Sequence, residues 1–164
     1  MTQEIDLEKY HQLALQKQKE HRKVLANLKK KPPKNLDKIA QEIHDEVFQE
    51  IDCTACANCC KTLGPDFKEA DITRIAKYFK MKLPAFEAEF LQVDEDGDKV
   101  FKSMPCPFLG GDNLCSIYDV RPKACREFPH TDRKKIYQIN HLTIKNTLTC
   151  PAAYLFLEKL KDRL

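Results

Sequence analysis

The chain has 164 residues, of which 42% are apolar, but eight of the apolar residues are cysteines, so ordinary core formers are thin for one compact domain. The formal net charge of +3 is unevenly spread: Met1 to Lys38 carries ten Lys/Arg against five Asp/Glu, and the remainder carries 18 against 20, a net of −2. No stretch approaches the roughly 18 uninterrupted apolar residues of a membrane span, and the acidic opening lacks the basic start and apolar run of a secretory signal.

A cytoplasmic location is therefore expected. In a reducing compartment, eight cysteines point to metal or redox chemistry rather than to disulfides. Thiolate binding of two divalent ions would bring the charge from +3 to −1, so the nominal charge is no argument for nucleic acid, and nucleic-acid binding is not expected.

In chain order, the leading segment to about Lys31 reads as a partly exposed helix. Its apolar groups, Ile5 to Leu13 and Val24 to Leu28, are separated by a polar stretch. Lys29 to Lys34 ends it, because Pro32 and Pro33 remove backbone donors, and this basic tract reads as a solvated linker. Ile39, Ala40, Ile43, Val47 and Ile51 then recur on one helical face that runs up to the first cysteine. A further helix carries Ile72, Ile75, Ala76 and Phe79, with Asp66 and Glu69 spaced as a capping box. Pro84 opens a short helix with Phe86 and Phe90.

Phe90 to Ser103 and Cys106 to Tyr118 each surround turn-forming residues and predict two short hairpins. Asp94 to Asp98 is such a turn. It is no calcium loop, because the sixth and twelfth positions are Lys99 and Pro105. Pro122 to Phe128 predicts one or two helical turns, and Lys135 to Thr147 is ambiguous between strand and helix. Cys150-Pro151 opens a last helix with Ala153, Phe156, Leu157, Leu160 and Leu164 on one face. The predicted fold is α+β and mostly α-helical, a small cysteine-clamped domain with short β-hairpins and flanking helices. The expected division is a helical segment over 1–52, with a Lys/Pro linker near 29–35, followed by a metal-binding domain over 53–164.

The candidate metal ligands are Cys53, Cys56, Cys59, Cys60, Cys106, Cys115, Cys125 and Cys150. A Cys-x2-Cys step lets two thiolates converge on one ion while intervening amides turn toward sulfur. Adjacent Cys59 and Cys60 point in different directions, so they are expected to serve different centres, or one supports the other. Cys150 at a helix start, and Cys125 among Arg121, Lys123 and Arg126, are expected to favour the thiolate. His130 offers an alternative imidazole ligand. Phe108, Tyr118 and Phe128 read as packing that shields the metal. Cys53, Cys56 and Cys59 match the first three ligands of the bacterial ferredoxin run, but Cys60 stands where that pattern has no ligand, so zinc and iron–sulfur both stay open.

The run CTACANCC, then CPFL, CSIYDVRPKACREFPH and a final CP resembles the YkgJ-like cysteine-cluster family, the CxxCxxCC zinc- or iron-chelating domain. The resemblance runs from Cys53 to about Pro151 and includes the helix ADITRIAKYF. It implies a bacterial metal-binding domain, with all eight cysteines on motif positions and zinc or iron, including a [4Fe-4S] cluster, as cofactor. The cysteine cluster is also similar to that of the flagellin lysine N-methylase, which implies an iron–sulfur centre coupled to methyl transfer. Three functions follow as expectations. The first is a non-catalytic metal-binding module that meets another protein. The second is an iron–sulfur enzyme of methyl or electron transfer, and the third is a thiol redox sensor.

Overall fold

The computed structural model describes residues 4–164; Met1, Thr2 and Gln3, the start of the leading helical segment, lie outside the described residues. The elements in chain order are α1 (Leu7–Lys30), α2 (Leu36–Glu50), α3 (Cys53–Cys56), α4 (Asn58–Thr62), β1 (Asp66–Phe67), α5 (Glu69–Tyr78), α6 (Leu83–Phe90), β2 (Leu91–Val93), β3 (Lys99–Phe101), α7 (Lys123–Glu127), α8 (Asn140–Thr147) and α9 (Pro151–Arg163). Single 3-10 turns occupy Tyr118–Val120 and Ile136–Ile139. The fold is thus α+β and mostly helical, and no described helix is long and apolar enough to cross a membrane. The chain divides into two units, 1–56 with 129–164, and 57–128.

The first unit is a bundle of α1, α2, α8 and α9. Helix α1 starts where the Asp6 carboxylate accepts the Lys9 amide, and it ends at the Lys31-Pro32-Pro33 tract. Its buried residues, Ala14, His21, Leu25 and Leu28, fall on one face. The polar stretch noted in the sequence is therefore bridged by small Ala14 and by an inward-facing histidine. Helix α9 runs parallel to α1, pairing Tyr154 with Tyr10 and Glu158 with His21, and antiparallel to α2, where Lys159 meets Glu50 and Arg163 meets Glu46. Between them lie Leu25, Leu36, Ile43, Val47, Phe156, Leu157 and Leu160, all buried. The ambiguous stretch at 135–147 is helical from Ile136 onward, a 3-10 turn leading into α8, after Lys135 in the left-handed region. Its β-branched Thr143, Ile144 and Thr147 are buried, so packing overrides their strand propensity.

The second unit packs α5 and α6 on a three-stranded antiparallel sheet of order β1-β3-β2. The predicted first hairpin is present: Leu91, Gln92 and Val93 pair with Phe101, Val100 and Lys99. Gly97, at φ 83°, and the Asp94 carboxylate, which accepts the Asp96 and Asp98 amides, form its turn. The predicted second hairpin is reduced to one bridge, Leu109 to Cys115. The Gly110 amide donates to the Leu114 carbonyl at 2.8 Å, and a Cβ on Gly110 would lie 2.6 Å from Asp112 Oδ1, so a side chain there would displace the carboxylate that accepts the Leu114 amide.

The capping box is also corrected: Lys68 caps α5 from the preceding position, and its amide donates to Asp71 at 2.9 Å, while Asp66 belongs to β1 and pairs with Lys68 Nζ. The core here is aromatic, with Phe108 in ring contact with Phe79, Phe90 and Phe101.

Candidate metal centre

The eight cysteines divide between the units. Cys53, Cys56 and Cys150 belong to the first; Cys59, Cys60, Cys106, Cys115 and Cys125 belong to the second. None forms a disulfide. Ala57, with φ 49° in the left-handed region, separates α3 from α4 and thereby Cys53 and Cys56 from Cys59 and Cys60.

In the second unit, backbone bonds set the spacing. The Cys106 amide donates to the Cys60 carbonyl at 2.8 Å, which fixes α4 beside the segment leading to the 106–115 turn. The ionisation of these thiols shows which of them share one neighbourhood. Burial pushes Cys125 up to about 12, and the charges of Cys60, Cys106 and Cys115 push the same way, against the Arg121 guanidinium. Cys106 is raised by burial and by Cys60 and Cys115, while the Phe108 and Leu109 amides oppose. Cys115 is raised by burial and by Cys60, against the Ile117 amide and Arg121. Cys60 goes the other way, lowered to about 7, because the Cys59 thiol hydrogen-bonds to it and Arg121 lies near, which together outweigh burial. Cys60, Cys106, Cys115 and Cys125 are thus one electrostatic group, and Cys59 supports Cys60 in it.

In the first unit, Cys150 precedes α9. The Ala152 and Ala153 amides favour its thiolate, although no capping hydrogen bond is closed at the helix start. Burial outweighs them and, with the nearby Cys53 and Cys56, pushes Cys150 up to about 12. The helix start and Arg121 favour the thiolates of Cys150 and Cys125 as expected from the sequence, but burial outweighs both. Only Arg121 of the basic trio acts on Cys125 in the expected direction.

Phe108 is buried as expected, whereas Tyr118 is 60% exposed and carries the Arg121 guanidinium 3.7 Å over its ring. His130 adopts φ 65° and belongs to the first unit, with Cys150.

Among the described residues, no three His, Cys, Asp or Glu side chains are already gathered as a metal cage. The donor chemistry nonetheless suits a metal. Soft sulfur donors share each neighbourhood, amides turn toward the sulfurs of Cys106, Cys115 and Cys150, and a guanidinium stands beside the second group. Metal coordination deprotonates a thiol outright, so it supplies the charge stabilisation that burial withholds.

Sequence reasoning missed Asp71 and Arg74 of α5, which hold the segment carrying Arg121; the Asp-x2-Arg spacing within ADITRIAKYF was their only signal.

No curated protein and no solved structure matches this chain. Residues 52–151, which span all eight cysteines, match the CxxCxxCC family described as "Putative zinc- or iron-chelating domain". The chain belongs to that CxxCxxCC cysteine-cluster family.

Proposed function

We propose that the protein binds zinc or iron through two separate thiolate centres, one in each unit. The supporting observation is the division of the thiols by mutual influence, with Cys60, Cys106, Cys115 and Cys125 in one group and Cys53, Cys56 and Cys150 in the other. Four thiolates complete a tetrahedral ion, the arrangement of a structural site. Three supply part of a coordination shell that a further ligand completes. The closed centre ties α4, the 106–115 turn and α7 together, and the protein's role is that of a cytoplasmic metal-binding module.

The three-thiol group favours a second reading, in which an iron–sulfur cluster with one open position supports electron or methyl transfer. Metal analysis of anaerobically purified protein tests both readings, together with the variants Cys125→Ser and Cys150→Ser. Each variant is expected to lose only part of the bound metal. A brown preparation absorbing near ~400 nm supports the cluster, and a colourless one with bound zinc supports the module. Loss of all metal from either variant alone contradicts two centres. A metal-free protein whose thiols all label freely removes both readings and leaves thiol redox sensing.

A further inference from the structure

Helix α5 contributes no cysteine, yet it carries an ion pair, of a buried Asp71 and a partly exposed Arg74, bonded to the segment that carries Arg121 and Cys125. The Asp71 carboxylate is 2% exposed. One oxygen accepts the Lys68 amide at 2.9 Å; the other accepts Arg74 Nη2 at 2.8 Å and the Lys123 amide at 3.0 Å. Arg74 also donates from Nη2 to the Arg121 carbonyl at 2.7 Å and from Nε to the Val120 carbonyl at 3.3 Å. The intervening Pro122 has no amide hydrogen, and its carbonyl accepts from Cys125 and Arg126. Every backbone polar group from the Val120 carbonyl to the Lys123 amide is therefore taken, most of them by this one pair.

The consequence falls on two side chains. Asp71 holds the first amide of α7, the five-residue helix that carries Cys125, and so sets where that helix begins. With the 120–121 carbonyls fixed, Arg121 donates from Nε to the Tyr118 carbonyl, lies over the Tyr118 ring, and faces the thiol group. A buried carboxylate is costly unless it is fully bonded, and the partners that Asp71 shares with Arg74 include the backbone of the loop that leads to Cys125.

We propose that Asp71 and Arg74 are positioning residues for the thiol centre of the second unit, fixing the start of the helix that carries Cys125 and the backbone of Arg121 so that Cys125 can join Cys60, Cys106 and Cys115 on one divalent ion. This rests on the reading that the group binds metal.

The test measures zinc affinity by chelator competition, and the Co(II) absorption spectrum, in the full-length protein and in Asp71→Asn, Arg74→Lys and Ile75→Val. The fraction followed is the metal that Cys125→Ser abolishes. Asp71→Asn sets an amide group against backbone donors, and Arg74→Lys removes the planar fork that spans a carboxylate and two carbonyls. Each is expected to weaken that zinc about 10- to 100-fold and to shift the Co(II) bands, as loss of a group that orients metal ligands does. Ile75→Val, in the same helix and core, is expected to lower the melting temperature while leaving affinity and spectrum unchanged. If Asp71→Asn does not fold, Arg74→Lys carries the test alone. Wild-type affinity and spectrum in the folded pair variants, or equal losses in Ile75→Val, overturn the positioning role while the metal centre stands. A wild-type protein that takes up neither zinc nor cobalt overturns both.

Discussion

Cys60 and Cys125 share the Arg121 guanidinium but not the same surroundings, and that difference orders the reactivity of the thiols. Cys125 is deep enough for burial to dominate, whereas Cys60 gains a hydrogen bond from its own neighbour. In reduced, metal-free protein at neutral pH, limiting iodoacetamide is expected to modify Cys60 before Cys125 and Cys150, both about 12. The sign follows from the direction of the shift. The folded value of Cys60, about 7, lies below its ordinary 9, so its thiolate stabilises the fold above pH 9, and that contribution fades as pH falls through 7. Its alkylation rate falls over the same range. Cys59→Ser, which replaces the thiol donor beside it, should change the rate profile of Cys60 and leave that of Cys125 unchanged. Peptide mapping that found Cys125 labelled before Cys60 would contradict this order. That Cys60 has an adjacent cysteine was legible in the sequence. The opposite shifts of Cys60 and Cys125 were not, because burial depends on the elements that close over each sulfur.

Among the elements, α1 shows how a polar letter can occupy a core position. His21 is fully buried, with Nε2 at 2.7 Å from Glu158 and Nδ1 without a partner. Counting His21 as polar splits the helix into two apolar groups, whereas Ala14, His21, Leu25 and Leu28 form one continuous face against α8 and α9. The volume of the imidazole therefore contributes more to docking α1 than its single bond to a partly exposed carboxylate. His21→Ala is expected to cost about 2–4 kcal/mol through the cavity it leaves. His21→Leu, which fills the space and removes an unsatisfied nitrogen, should stay within about 1 kcal/mol of the parent. Urea melts of the two variants check this, and equal losses would show that the bond to Glu158 carries the docking. The helices with regular apolar spacing, α2, α5 and α9, were readable because their periodicity coincides with their buried faces. The 135–147 stretch was not, since only its burial against the bundle chooses helix over strand. The 106–115 segment presents turn residues without the alternation that sustains a ladder, so a single bridge remains.

At the scale of the molecule, the two units set their buried apolar residues on different scaffolds. Thirteen buried apolar residues form the core of the first unit, in contact with long helices, while nine form that of the second, around strands of two or three residues. Five of the eight cysteines lie in the second unit, so thiolate–metal bonds would supplement the core there more than in the bundle. A short three-stranded sheet and a five-residue α7 have little cooperative stability of their own, and a metal that binds only the folded form adds its binding energy to folding. Chelation under reducing conditions is therefore expected to act unevenly. The far-UV helical signal, dominated by α1, α2, α8 and α9, should largely persist. Amide exchange should accelerate across 57–128, first in α4, the 106–115 turn and α7, where the proposed ligands lie, and later in α5 and α6, which retain the Phe86 and Phe108 packing. Hydrogen–deuterium exchange with mass spectrometry on the metal-loaded and stripped protein reads this directly. Uniform acceleration over both units would mean that the bundle also depends on metal. Unchanged exchange over 57–128 would mean that the aromatic core alone holds the second unit together.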